Sequence, residues 1–207
     1  YWRRNKIERD VAVAFLIVWE IMSLSSYILV MYDYEKAETR TAGYLYFLFA
    51  QAGALLIFAA FGVAYSQTGE LEFSKLALLP AEAKLIVFFL AFLGFGSKAG
   101  VFPLHVWLPH AHPAAPSHIS AIMSGVMIKM GIYGILRIYA SLATSDLRIG
   151  EAVLVFGMIS GVLGVLYALG THNLKKLLAY HSVENIGIIL MGAGLGMIGV
   201  AKGNVTM

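Results

Sequence analysis

The sequence predicts an all-α membrane protein, a bundle of about six membrane-spanning helices in one transmembrane domain over residues 1–207. Of the 207 residues, 59% are apolar and only 13% are charged, whereas about a quarter of a soluble domain is charged. The mean hydropathy is +0.77. The apolar residues fall into six runs, each long enough to cross a bilayer, which takes about 20 residues. These runs are residues 11–32, 42–66, 83–109, 117–141, 151–170 and 174–199.

The composition also excludes several kinds of site. The chain has no cysteine, so thiolate iron–sulfur clusters, thiolate zinc sites, disulfides and cysteine nucleophiles are excluded. The net charge of +3 does not indicate nucleic-acid binding, because several lysines lie inside apolar runs that no phosphate could reach. We therefore expect no metal and no cofactor bound by this chain, and no nucleic acid among its partners.

The first two runs are separated by a polar loop at residues 33–41, and residues 67–82 mix charged residues with leucines. That mixture is typical of a short helix lying at the membrane interface. The chain does not open with methionine, and we expect it to be a piece of a larger membrane protein.

The third run contains a predicted helix break. Gly96, Gly100 and Pro103 surround Lys98. Pro103 cannot donate to the carbonyl of Ala99, and the glycines loosen the backbone, so the helix should break here. Broken helices are tolerated at membrane depth where they line a cavity, and transporters place ion sites at such breaks.

The last three runs follow a link rich in histidine and proline. In the fifth run Gly157 and Gly161, and in the sixth Gly192 and Gly196, have the small-xxx-small spacing that lets membrane helices approach closely. We assign these glycines to helix contacts and not to chemistry.

Three charged residues lie near the middle of their runs: Glu20, Lys98 and Lys129. A charge at the bilayer centre costs about 2.5–3.5 kcal/mol on insertion scales, and intramembrane charges usually mark ion pathways. We expect these three to carry proton translocation, with Glu20 as the carboxylate that loads and discharges Lys98. The alternatives are a static salt bridge between Glu20 and Lys98, and a Lys129 paired with an acid on a helix outside this chain.

Histidines and one more acid complete the candidate site. His105 and His112 could exchange protons at the mouth of the broken helix, although an interfacial belt accounts equally well for the neighbouring histidines His110 and His118. Prolines separate these histidines, and no cysteine or carboxylate accompanies them, which argues against a metal site. His181 and Glu184 lie three residues apart on one helical face, either as a proton relay or at a solvated helix end.

The sequence around these residues resembles the proton-conducting antiporter-like membrane subunits, a family that includes the pumping subunits of respiratory complex I and Mrp-type antiporters. The matching segments are Trp19–Tyr27, Lys98–Pro109 and Ser124–Gly131. Within the family the chain is most similar to the hydrogenase-4 and formate hydrogenlyase branch, through His110–His118 and Leu174–Gly187. Complex I subunits usually carry aspartate at the position of His110 and no acid at that of Glu184.

The resemblance implies a fragment of an inverted-repeat fold whose ion site lies at mid-membrane. It implies that Glu20 partners Lys98 and that Lys129 is the next station on a horizontal polar axis. The chain would then be a non-catalytic proton-pumping part of a redox-driven complex, multi-pass in the inner membrane of a prokaryote. Its partners would be other membrane and hydrophilic subunits, which carry the iron–sulfur and metal centres. The alternatives are an Mrp-type sodium/proton antiporter without redox coupling, and a scaffold whose buried charges only fix packing.

Overall fold

The computed structural model describes residues 11–203, which form helices joined by short turns, with no strand among them. Residues 1–10 and 204–207 of the predicted domain lie outside this range. We number the helices α1 (Val11–Val30), α2 (Ala37–Thr68), α3 (Ala81–Ala99), α4 (Leu108–Ala114), α5 (Ser117–Leu142), α6 (Leu147–Leu169) and α7 (Leu174–Ala201). Helix α5 contains a π turn at Met123–Met127, which the sequence did not predict.

Five of these helices are long and apolar enough to cross a membrane: α1, α2, α5, α6 and α7. Helix α3 has 19 residues and is also apolar, but it carries the charges of Glu82, Lys84 and Lys98. The predicted all-helical, multi-pass bundle is therefore confirmed. The helix that corresponds to the third run, residues 83–109, ends at Ala99 instead of continuing to residue 109.

Polar residues that had indicated loops belong to helix ends. Helix α2 begins at Ala37, inside the predicted loop, and places Glu38 in its first turn, where a negative charge favours the helix dipole. Helix α6 begins at Leu147 because the Asp146 side chain accepts a hydrogen bond from the Arg148 amide at 3.0 Å. Such N-caps stabilise a helix by about 1 kcal/mol.

Residues 67–82 contain a short helix, as predicted, but it is a 3₁₀ helix confined to Phe73–Leu78. Helix α2 continues to Thr68 before it. Phe73 and Leu76 are buried, and the Arg137 guanidinium lies 5.2 Å from the Phe73 ring centroid. The leucines that suggested a membrane-surface segment thus pack partly against the bundle.

Helices α6 and α7 approach each other through glycines spaced seven residues apart. Gly150, Gly157 and Gly164 lie on α6, and Gly187 and Gly194 lie on α7. A Cβ added at Gly157 would lie 2.7 Å from the Met191 amide nitrogen, and one added at Gly194 would lie 2.7 Å from the Leu154 nitrogen. Gly192 and Gly196 make no such contact within residues 11–203, where an added Cβ at either would meet nothing within 4 Å.

Helix α3 packs between α2 and α5 at two further close approaches. A Cβ on Gly53 of α2 would lie 2.8 Å from the Gly94 carbonyl, and one on Gly131 of α5 would lie 2.8 Å from the Ala99 nitrogen. The carboxyl end of α3, which carries Lys98, is therefore enclosed on both sides.

Candidate functional site

The helix break next to Lys98 is made by a glycine cap. Gly100 adopts φ 76°, the left-handed conformation that glycine reaches without strain. The Val101 amide donates to the Gly96 carbonyl at 2.9 Å, and the Gly100 amide donates to the Ser97 carbonyl at 3.4 Å. This pair of bonds is a Schellman motif. The helix ends at Ala99, between the predicted break residues Gly96 and Pro103, and Gly100 rather than Pro103 forms its cap.

Protein groups satisfy part of the backbone freed by the break. The Trp107 indole donates to the Ser97 carbonyl at 2.9 Å, and the Phe102 amide donates to the Ser160 hydroxyl of α6 at 3.0 Å. Trp107 is 1% exposed and Ser160 is fully buried. Irregular backbone at membrane depth requires such internal partners.

Lys98 is 3% exposed and its ammonium contacts two hydroxyl groups. Nζ donates to Ser23 Oγ of α1 at 3.2 Å and to Tyr46 Oη of α2 at 2.5 Å, and it lies 4.8 Å from the centre of the Tyr46 ring. A hydroxyl group both donates and accepts. These partners can therefore hydrogen-bond the lysine amine in its charged and its neutral form.

Glu20 does not pair directly with Lys98. Its Oε2 accepts from Gln51 Nε2 at 3.3 Å, while its Oε1 is buried without a hydrogen-bond partner in the described part of the chain. None of the ion pairs among residues 11–203 involves Lys98. The alternative of a static salt bridge between Glu20 and Lys98 is therefore not seen among these residues, and two hydroxyl groups accept from Nζ instead. Glu20 still lies one turn from Ser23, on the same face of α1.

Lys129 lies on the outer side of α5. Its side chain is exposed, and Nζ donates to the Ser124 carbonyl within the π turn. Gly131, two residues on, faces α3, and two residues rotate an α-helix by about 200°. The described residues therefore do not bring Lys129 into contact with Lys98.

The two buried histidines occupy separate places. His105 is 8% exposed, stacks on Phe102 and Tyr167, and has a buried Nδ1 without a partner among the described residues. His112 is 2% exposed, and its Nδ1 lies 2.6 Å from Ser120 Oγ. His110 and His118 are exposed, and no metal-holding group of three or more His, Asp or Glu side chains occurs in residues 11–203.

His112 lies on α4, outside the candidate membrane spans. Burial, together with the smaller effect of the positive charge of Lys175, lowers the pKa of His112 to about 4. The ring is therefore neutral at neutral pH and keeps one nitrogen as a hydrogen-bond acceptor.

His181 and Glu184 are in contact on α7. His181 Nδ1 lies 2.7 Å from Glu184 Oε2, and the two side chains are 47% and 26% exposed. The neighbouring Ser182 hydroxyl lies 2.9 Å from the Ser124 hydroxyl and so links α7 to α5. Polar groups from the two helices therefore lie close together at this level of the bundle.

Sequence reasoning missed three residues of the Lys98 network: Ser23, Tyr46 and Gln51. Each is a polar side chain inside an apolar run. Ser23 also lies three residues after Glu20, so the two residues share a helical face. That spacing could have indicated that Ser23 belongs to the site. Nothing in the sequence indicated that Tyr46 and Gln51 would face the same helix.

Comparison with known proteins places this geometry in context. The family model described as NADH:quinone oxidoreductase/Mrp antiporter, TM matches residues 10–207. Hydrogenase-4 component B from Escherichia coli K12 is 50% identical to the chain over 198 residues, which are 93% of the chain and 29% of that protein. Formate hydrogenlyase subunit 3 from the same organism is 38% identical over 189 residues, which are 90% of the chain and 30% of that protein.

A solved structure shares the fold. The Mrp complex from Dietzia sp. DQ12-45-1b contains a chain that matches with a TM-score of 0.82 and 29% identity, over 89% of this chain and 35% of that one. The chain thus spans less than a third of the length of the two curated relatives it matches.

Proposed function

The chain belongs to the NADH:quinone oxidoreductase/Mrp antiporter family of membrane proteins, and from that premise we propose that it is the proton-translocating part of a membrane subunit. The observation that carries the proposal is Lys98, a lysine 3% exposed at the end of a broken helix, held by hydroxyl groups instead of a carboxylate. A lysine held in this way can gain and lose a proton without losing its partners.

The proposed proton path uses the Lys98 network first. Glu20 lies one turn from Ser23, and Ser23 Oγ contacts Lys98 Nζ. A proton that leaves the ammonium could pass to the serine oxygen while the serine proton moves toward the carboxylate. The orphaned Oε1 of Glu20 is the acceptor available for it.

We assign the remaining predicted residues to later steps. Lys129 is the next proton carrier, and His105, His112, His181 and Glu184 are relay groups. The 2.7 Å contact between His181 Nδ1 and Glu184 Oε2 supports their assignment as a pair.

For the whole protein we propose a subunit of a redox-driven complex of the hydrogenase-4 or formate hydrogenlyase type, in the inner membrane of a prokaryote. The similarity to hydrogenase-4 component B supports this assignment. Other membrane and hydrophilic subunits of the complex would hold the iron–sulfur and metal centres. The TM-score of 0.82 against a chain of the Mrp complex favours a second candidate, a sodium/proton antiporter subunit without redox coupling.

The test is Lys98→Met in the full-length protein, with proton and sodium movement followed in membrane vesicles. We expect proton movement to fall by about 100-fold or more, the scale on which a positioned acid–base group contributes. Lys84→Met, on the same helix but in its first turns, is the matched control and should transport normally.

A Lys98→Met protein that assembles and transports at the rate of the unaltered protein would refute the proposal.

Co-purification separates the two candidates, the redox-driven complex and the antiporter. Iron and nickel in the purified complex support the redox assignment, whereas a set of small membrane subunits without these metals supports the antiporter.

A further inference from the structure

An open pocket of about 550 Å³ lies where α2 begins, between that helix, α4 and the first turn of α7, and we call it the interfacial pocket. Lys36 and Glu38 line it from the start of α2, His110 from α4, and Lys176 from α7. All four residues are exposed, and the proposed proton path uses none of them. Groups of both charges therefore share one pocket at the surface of the bundle.

The pocket lies at the level of the lipid headgroups. Tyr34, just before α2, and Tyr44, about two turns into that helix, are both exposed. Exposed tyrosines are enriched where a membrane meets water. Leu174 and Leu178, also exposed, begin the apolar surface of α7 on the other side of the pocket. A phospholipid would present its headgroup at this boundary.

The start of α2 favours an anion in this pocket. Its first helical hydrogen bond runs from the Arg40 amide to the Lys36 carbonyl at 3.1 Å, so the amides of the turn before Arg40 point out of the helix end. The Lys36 side chain makes no capping bond to these amides and pairs with Asp33 at 2.8 Å instead. Open amides and the positive end of the helix dipole together favour a phosphate group.

Thr39 adds a buried polar group without a partner. It lines the pocket, is 2% exposed, and its hydroxyl makes no hydrogen bond with any other residue that the structure describes. Buried hydroxyl groups nearly always have a hydrogen-bond partner. Thr39 belongs to the same first turn as the open amides, so a phosphate oxygen at the helix end would accept from both.

The charges in the pocket match a zwitterionic headgroup better than a simple anion. Neither Lys176 nor Glu38 takes part in an ion pair within residues 11–203. The Lys176 ammonium is available to a phosphate, and His110 can donate a ring N–H to it from α4. The Glu38 carboxylate would repel a second anion but would pair with an ammonium. Phosphoethanolamine carries a phosphate and a primary ammonium in one group.

We propose that the interfacial pocket binds the headgroup of phosphatidylethanolamine. The phosphate lies against Thr39 and the amides at the start of α2, with Lys176 as its counter-charge, and the ethanolamine ammonium pairs with Glu38. A bound lipid would thereby join the start of α2 to the start of α7. The assignment is independent of the proposed function, because no residue of the pocket belongs to the proposed proton path.

Two lipids with the same tails test the proposal in the unaltered protein. The full-length protein is purified in detergent, stripped of lipid and titrated with dioleoyl phosphatidylethanolamine or dioleoyl phosphatidylcholine, and native mass spectrometry measures the affinity for the first lipid bound. Choline has the same phosphate, but its quaternary ammonium has no N–H to donate to Glu38. We expect phosphatidylethanolamine to bind at least about tenfold more tightly. Equal affinities would overturn the proposal.

Paired variants locate the lipid. Lys176→Met and Glu38→Gln should each lower the affinity for phosphatidylethanolamine by about tenfold, and Glu38→Gln should also remove the preference over phosphatidylcholine. The controls are Lys202→Met, beyond the other end of α7, and Glu35→Gln, before α2, because both residues are exposed and lie outside the pocket. If the pocket variants bound the lipid as tightly as their controls, the lipid would lie elsewhere and the proposal would fail.

Inorganic phosphate distinguishes a lipid site from a site for a soluble anion. We expect excess inorganic phosphate to leave phosphatidylethanolamine bound, because the free anion has neither the ammonium nor the acyl chains. Displacement of the lipid would show a soluble-anion site and would overturn the proposal. None of these measurements depends on proton movement, so they can fail while the Lys98→Met test succeeds, and the reverse.

Discussion

At the scale of single residues, the nature of the partners at Lys98 matters more than their number. Ser23 and Tyr46 are neutral, and each can reverse the direction of its hydrogen bond. A carboxylate in direct contact would hold the lysine charged. In the observed network Glu20 does not contact Lys98 and instead accepts a hydrogen bond from the Gln51 amide.

Tyr46→Phe should therefore impair transport without removing either charge. The change deletes the Oη that accepts from Lys98 Nζ at 2.5 Å and leaves only the Ser23 hydroxyl. Loss of a buried partner costs about 1–3 kcal/mol, and we expect a decrease of about tenfold in proton movement in vesicles of the full-length protein. Tyr44→Phe is the control, since Tyr44 is 65% exposed on the same helix. A Tyr46→Phe protein indistinguishable from the control would contradict this account of the network.

The charged residues of the site could be found from sequence, and their contacts could not. Glu20 and Lys98 stand out because a charge in an apolar run has a large cost. Tyr46 carries no such signal, because tyrosine is common in membrane helices. Lys129 was expected to be the next station after Lys98. The direction in which its side chain points depends on the rotation of α5, which is fixed by the contact of Gly131 with α3. Helix rotation is a tertiary property that hydropathy does not encode.

At the scale of helices, α6 and α7 depend on direct backbone contact. Gly157 of α6 faces the Met191 nitrogen, the Gly187 carbonyl and the Leu190 carbonyl carbon, all backbone atoms that cannot move aside as a side chain does. Close approach through small residues is a main source of helix association in membranes.

Gly157→Leu should destabilise this helix pair, because overpacking a close contact costs about 1–3 kcal/mol. Gly192→Leu, where an added Cβ meets nothing within 4 Å, should have little effect. Denaturant unfolding of the two full-length variants in detergent measures the difference. Equal free energies of unfolding would show that the α6–α7 contact does not limit stability.

The sequence predicted which segments form long helices, but not where each helix begins and ends or which glycines form the helix contacts. The six apolar runs correspond to α1, α2, α3, α5, α6 and α7 because hydropathy responds directly to burial in lipid. The boundaries moved outward by several residues where caps such as Asp146 extend a helix into polar sequence. The seven-residue glycine repeat was present in the sequence at Gly150, Gly157 and Gly164. The four-residue pairs were easier to notice, and only one of those pairs lies at the interface.

At the scale of the whole molecule, the segment between α3 and α5 joins two groups of helices. The Trp107 indole bonds it to α3, the Ser160 hydroxyl bonds it to α6, and Lys175 fastens α4 to α7. The interrupted helix next to Lys98 is thereby connected to the helices that carry His181 and Glu184.

Ser160→Ala tests this connection. The change leaves the Phe102 amide without its 3.0 Å acceptor in a fully buried position, and we expect the free energy of unfolding to fall by about 1–3 kcal/mol. Ser66→Ala is the control, because the exposed Ser66 hydroxyl bonds only the Val63 carbonyl of its own helix. Thermal unfolding of both full-length variants in the same detergent gives the comparison. Equal midpoints would mean that the Phe102 amide has another partner in the assembled protein.

The length of α2 has a mechanical consequence. Its 32 residues measure about 48 Å, against a hydrocarbon layer of about 30 Å, so both ends reach past the acyl chains or the helix is inclined. Helix α2 comes closest to α3 at Gly53, near the midpoint of α2, so a tilting motion of α2 would pivot about this contact. Tyr46 lies seven residues from that point, about 10 Å along the axis. A swing of about 10° would displace it by about 2 Å relative to this contact, enough to break its bond to Lys98. A force on either end of α2 that tilts the helix would therefore move Tyr46 relative to Lys98.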